Sequence, residues 1–215
     1  MLDSGRILYH CVRSKQQHCC CEPDQQEGVL ILKQLLSDAT QLQLHNMASL
    51  AVSHVVDEML SSEHAGKGAY SRTFWLQEPF DYRNAIPLYD SWVSGDKNRH
   101  NESLYFMASM EKIVRLAIHA GADGHVSSFQ SRAPDLLYTG AIRYRCIVPD
   151  ISDTPIWLAN SVSGLPEMGD EAASVLTAEH MHHRGLWEVN FWDLQRVLEI
   201  SQNPVYKGEL IKIAQ

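Results

Sequence analysis

The sequence predicts an α+β fold: one domain over residues 1–215, with a small mixed or antiparallel sheet, several helices, and a helical insertion at roughly 22–100 after the first strand. Three observations predict it. The length of 215 residues is more than one average domain and less than two. Hydrophobic content of 45% and charged content of 20% are ordinary for a chain that buries a core, which excludes a disordered or collagen-like polymer. Helix-period and strand-period segments are scattered along the chain rather than alternating as a regular βαβ series.

The elements follow in order. Residues 6–12 read as a short strand, with Leu8 and His10 on one face and Ile7 and Tyr9 on the other. A polar stretch with Pro23 and Gly28 as breakers reads as a loop. The apolar run 29–36 is ambiguous in period, and its Leu, Lys and Gln favour helix. Asn46 looks like an N-cap. Met47, Leu50, Ala51, Val55 and Met59 then recur at helical spacing. Residues 69–102 are turn-rich: 71–76 suits a strand, and Pro79 and Pro87 break the rest.

Asn101 opens the next apolar segment. It reads either as one helix or as a strand at 104–106 with a helix from Ser109. As a helix it presents Met107, Met110, Val114 and Ile118 to the core and stops at Gly121. Residues 141–148 alternate and are the best strand in the chain; 155–158 and 186–189 are further candidates. Asn190 caps a helix with Asp193 in its first turn, stopped by Asn203-Pro204. The ending 205–214 contains a last candidate strand.

Charge and cysteine usage narrow the function classes. A net charge of −8 repels phosphate, and no basic run compensates, so nucleic acid is not an expected partner. Apolar runs such as 29–32 and 104–108 are too short to span a bilayer, and the N-terminus lacks the apolar core of a secretion signal. A cytoplasmic setting with free thiols follows: the cysteines are odd in number, and Cys19, Cys20 and Cys21 are adjacent. Cys146, inside an alternating strand, reads as a buried structural thiol. No metal is expected, because the Cys run lacks paired ligand spacing and 179–183 (Glu-His-Met-His-His) lacks the HExxH order.

Three separated segments carry a pattern together: ILYH at 7–10, SLYFMASMEKIVRLA at 103–117, and IRYRCIVPDISDTP at 142–155. In this order they resemble the rifamycin-type branch of the ADP-ribosyltransferases. Cys11-Val12 stands where that family has Gly-Thr, and the interval to Tyr105 is longer. The resemblance implies an enzyme that cleaves the nicotinamide–ribose bond of NAD. It places His10 on the ribose hydroxyls, Tyr105 against the nicotinamide ring, and Asp153, or else Asp150, beside the developing cation. The acceptor implied is a small molecule, a protein side chain or water.

Two other readings stand beside it. One is a non-catalytic protein-binding module, an inhibitor or immunity-type protein. It is suggested by the acidic balance and by the aromatics Phe74, Trp75, Phe80, Tyr82, Tyr89 and Trp92. The other is a metal-dependent hydrolase built on His180, His182 and His183, where 180 and 183 share a helical face. Oligomeric state is not legible.

Overall fold

A computed structural model of the chain describes residues 35–131 and 139–210, apart from the side chain of Glu167. The predicted strand at 6–12, with His10, and the cysteines before residue 35 lie outside the described residues. Within them the fold is α+β, as the sequence predicts: four α-helices and one five-stranded antiparallel sheet of order β2-β1-β4-β3-β5.

Helix α1 spans Asp38–His54. It begins earlier than Asn46 because the Ser37 side chain accepts from the Thr40 amide and Asp38 sits in the first turn, which together satisfy the helix start. Asn46 is therefore an interior helical residue. A widened π turn at Val55–Met59 ends the segment.

The stretch 22–100, expected as a helical insertion, supplies two strands of the sheet. Strand β1, Gly68–Leu76, is buried along almost its whole length and pairs with β4 on one side and β2 on the other. Strand β2, Ala85–Ser94, contains Pro87, expected to break structure. Proline is tolerated because β2 is the sheet edge and the register shifts between Thr73 and Phe74, with Phe74 opposite Pro87.

Helix α2, Glu102–Ala122, is continuous, which removes the alternative of a strand at 104–106. Its buried face is rotated from the predicted one, of which Met110 packs against the core. Ser109, Lys112, Ile113, Leu116, Ala117 and Ala120 face inward, while Val114 is half-buried and Ile118 is 52% exposed. The helix carries two apolar stripes. The sheet takes the one with small residues, which lets the backbones approach until the Ser161 hydroxyl donates to the Ser109 carbonyl at 3.1 Å. Nor does Gly121 stop the helix. The left-handed position is Gly124 (φ 66°), and the Asp123 and His125 amides both close back on the His119 carbonyl.

Strand β3, Ala141–Val148, has the predicted bounds. Strand β4, Ser152–Ser163, is longer than 155–158, and β5 is only Glu188–Val189. Helix α3, Glu167–His183, lies beside α1, which packs on β2 and β1 while α3 packs on β4, β3 and β5. Helix α4, Phe191–Ser201, starts as predicted: Asn190 accepts from the Trp192 amide at 3.0 Å. The described part of 205–214, up to Leu210, contains no strand; Glu209 and Leu210 are helical.

Strand alternation divides the sheet between two cores. Ile142, Tyr144, Leu158 and Val162 face α1, α3 and α4 in the larger one. Phe74, Leu76, Ala141 and Ala159 face α2 in the smaller one. Cys146 lies in the larger core, where burial pushes its thiol up to about 12, as its position in the strand predicted. No helix among the described residues is long and apolar enough to cross a membrane.

Candidate functional site

The sequence-predicted site residues are placed as follows. His10 lies outside the described residues. Tyr105 is half-buried on α2 and packs on Trp92, ring centroids 6.2 Å apart. Trp92 pairs with Tyr70, and Tyr70 with Ser163, so Tyr105 sits at the Ser163 end of β4. Asp153 is exposed at the other end of the same strand, roughly 30 Å away at the rise of an extended chain. Asp150 accepts from the Thr40 hydroxyl at 3.2 Å near the start of α1. Neither carboxylate is brought to Tyr105.

At the end of α3 the rings of His182 and His183 lie 5.8 Å apart and both pack on Phe191. His182 Nδ1 accepts from the Val189 amide at 3.2 Å, and its ring lies 4.5 Å from Phe191. His180 is held below its ordinary pKa by burial. His183 sits 3.6 Å from both Glu179 and Glu209, and the three offer ligand atoms within 4.8 Å of one another. The pair is Glu179 and His183, at i and i+4, with the third group from the C-terminal segment. Both oxygens of Glu179 already accept, one from the Tyr206 hydroxyl at 2.6 Å and one from the Glu209 amide at 3.1 Å. This arrangement clasps the C-terminal segment to α3.

A different constellation forms where β3 meets α4. Arg143 and Arg145 share the β3 face turned away from α1 and α3. Both guanidinium groups lie over the Trp157 ring, at 4.6 and 5.5 Å. Arg143 also lies 5.0 Å from the Phe80 ring, which itself meets Trp157 edge-on with centroids 6.0 Å apart. Arg145 holds Asp193 of α4 bidentately, at 2.9 Å from both Nε and Nη2, and its amide donates to the same carboxylate. Arg143 is 5% exposed, and neither its Nε nor its Nη1 has a hydrogen-bond partner among the described residues. Burial, and then the nearby Arg196 guanidinium, hold Arg143 below the usual arginine range.

Beside this cluster runs a groove of about 370 Å³ whose lining includes Arg145, Cys146, His182, Glu188, Phe191 and Trp192. Trp192 is 76% exposed, the most exposed large apolar side chain among the described residues. Its exposure follows from α4: Leu194 and Val197 turn inward, which sends Trp192 and Arg196, one turn apart, outward. A second groove, of about 450 Å³, runs along α1 but is lined mainly by Asn46, Ser49 and Ser53 and carries no aromatic anchor.

No protein-family model, curated protein or solved structure matches this chain.

The arginine–tryptophan site therefore rests on its own geometry. Sequence reading missed it, although two signals were present: Arg143 and Arg145 share strand parity, and Trp192 and Arg196 share helical spacing. What joins β3 to α4 is the contact between Arg145 and Asp193, which no local pattern encodes.

Proposed function

We propose that the protein is a non-catalytic binding module that captures a segment of a partner protein in the groove between β3 and α4. The observation that carries this reading is Trp192. A large indole at 76% exposure leaves apolar area in water that a partner would cover. It lines the same groove as Arg145. Tryptophan and arginine around a cleft are the side chains that dominate binding energy at protein interfaces. The catalytic reading, NAD cleavage by His10, Tyr105 and Asp153, draws no support from the separation of the last two along β4.

A displayed peptide library panned against the folded chain and against Trp192→Ala tests the proposal. Enriched sequences should bind the native protein and lose at least about tenfold in affinity on Trp192→Ala, the loss of a buried aromatic anchor. Peptides that bind both forms equally, or no enrichment at all, would overturn it. Free nicotinamide released from NAD by the native chain and abolished by Tyr105→Ala would replace it with the catalytic reading.

A further inference from the structure

The groove between β3 and α4 holds one charged group that the fold leaves without a partner. Glu188 of β5 stands opposite Ile147, so its side chain lies on the same sheet face as Ile147 and Arg145. Arg145 nevertheless turns to Asp193, which accepts from its Nε and Nη2 at 2.9 Å. Glu188 is exposed, and its carboxylate makes no ion pair or hydrogen bond among the described residues. The other polar groups here are occupied. His182 accepts at Nδ1 from the Val189 amide at 3.2 Å, a bond that only the neutral ring makes. The positive end of α4 is answered by the Asn190 side chain and by Asp193 in its first turn. The free charge in the groove is therefore negative, and it shares the lining with the largely exposed Trp192.

Elsewhere the chain shows what a ring and a carboxylate hold together. Arg72 lies over the Phe106 ring at 4.0 Å, with Asp90 3.7 Å from its Nη2. Arg145 lies over the Trp157 ring at 5.5 Å, with Asp193 along its edge. In each case a ring meets the guanidinium and a carboxylate takes its donors. Trp192 and Glu188 offer the ring and the carboxylate without the arginine.

We infer that the groove binds a basic segment of the partner protein, an arginine of which lies on the Trp192 ring and donates to Glu188. The inference rests on the binding reading above. Tryptophan is the best aromatic ring for a cation, and a guanidinium stacked on it keeps its in-plane donors for a carboxylate. The net charge of −8 favours the approach of a basic partner. Arg196, exposed one turn along α4 from Trp192, is not among the lining residues, and its like charge takes no part in holding the occupant.

Fluorescence anisotropy on the full chain tests the inference with three labelled peptides of one length. One alternates leucine and arginine, one has citrulline in place of arginine, and one alternates leucine and glutamate. Citrulline keeps the planar shape and removes the charge. The arginine peptide should bind best. It should weaken at least about fivefold on Glu188→Gln and on raising NaCl from about 50 to about 500 mM, and at least about tenfold on Trp192→Ala. Glu58→Gln, on the turn after α1, removes the same charge outside the groove and should change affinity less than about twofold. Arg196→Ala should not weaken binding. All four positions are exposed, so these variants keep the fold. Equal binding of the arginine and citrulline peptides, equal losses from Glu188→Gln and Glu58→Gln, weakening on Arg196→Ala, or preference for the glutamate peptide overturns the basic occupant. Where such binding still falls on Trp192→Ala, the binding module stands. Failure of all three peptides to bind also overturns the inference, and the panned library then decides the binding module alone.

Discussion

Lys112 and Asp170 show how single residues tie the two faces of the sheet together. They come from α2 and α3, on opposite faces, and meet at 2.8 Å with side chains 1% and 5% exposed. The Lys112 ammonium also donates to the Val162 carbonyl at 2.8 Å, and Asp170 accepts from the Leu165 amide. The meeting point needs glycine. At Gly140, φ is 122°, and an added Cβ would come within 2.7 Å of Asp170 and 3.0 Å of the Lys112 ammonium. Burial pushes the Asp170 carboxyl up to about 6 even though Lys112 pulls it down. Removing one partner strands the other, so Lys112→Met should cost about 3–5 kcal/mol, and adding Asp170→Asn should recover much of it. A carboxyl raised in the folded state stabilises below its unfolded value and loses that contribution as pH rises through the folded one. The Lys112→Met defect, read by chemical denaturation, should therefore be larger at pH 8 than at pH 5. Equal defects at the two pH values would show that Asp170 is not the stranded group.

At the scale of elements, α2 is the instructive case, because its two apolar stripes make opposite predictions for neighbouring positions. Leu116 is fully buried against the sheet, whereas Ile118 is half in water. Leu116→Asp buries an unpaired charge and should cost several kcal/mol. Ile118→Asp should stay within about 1 kcal/mol, as surface changes do. Thermal melts of the two variants decide which stripe faces the sheet: a large loss from Ile118→Asp with little from Leu116→Asp would restore the face predicted from the sequence. Helix α4 joins stability to recognition in the same way. Its inner residues anchor it to the larger core, and this holds Trp192 and Arg196 outward on a rigid support.

Across the whole molecule, the sheet order sets which segments open last. β1 and β4 pair along their length on both sides, β3 is covered on one side only by the two residues of β5, and β2 and β5 are edges. Amide exchange should be slowest in β1, β4 and the enclosed helix α3, and fastest in β2 and β5; slow exchange in β2 comparable with β1 would contradict this order. The fold class, the strand 141–148 and the start of α4 at Asn190 were legible because each is encoded locally, by a period of two or a capping side chain at a fixed spacing. Strand β2 was not, since Pro87 and its turn-forming neighbours look like breakers until the edge position and the bulge are known. The buried face of α2 was not, because both stripes are apolar and the choice depends on what the sheet presents. The same divide separates the two functional readings. His10, Tyr105 and Asp153 were joined by their order in the chain, and chain order does not set the distance between the ends of a strand. Arg143, Arg145, Trp157 and Trp192 are ordinary residues of three separate elements, and they become neighbours because both arginines stack on Trp157 and Arg145 lines one groove with Trp192.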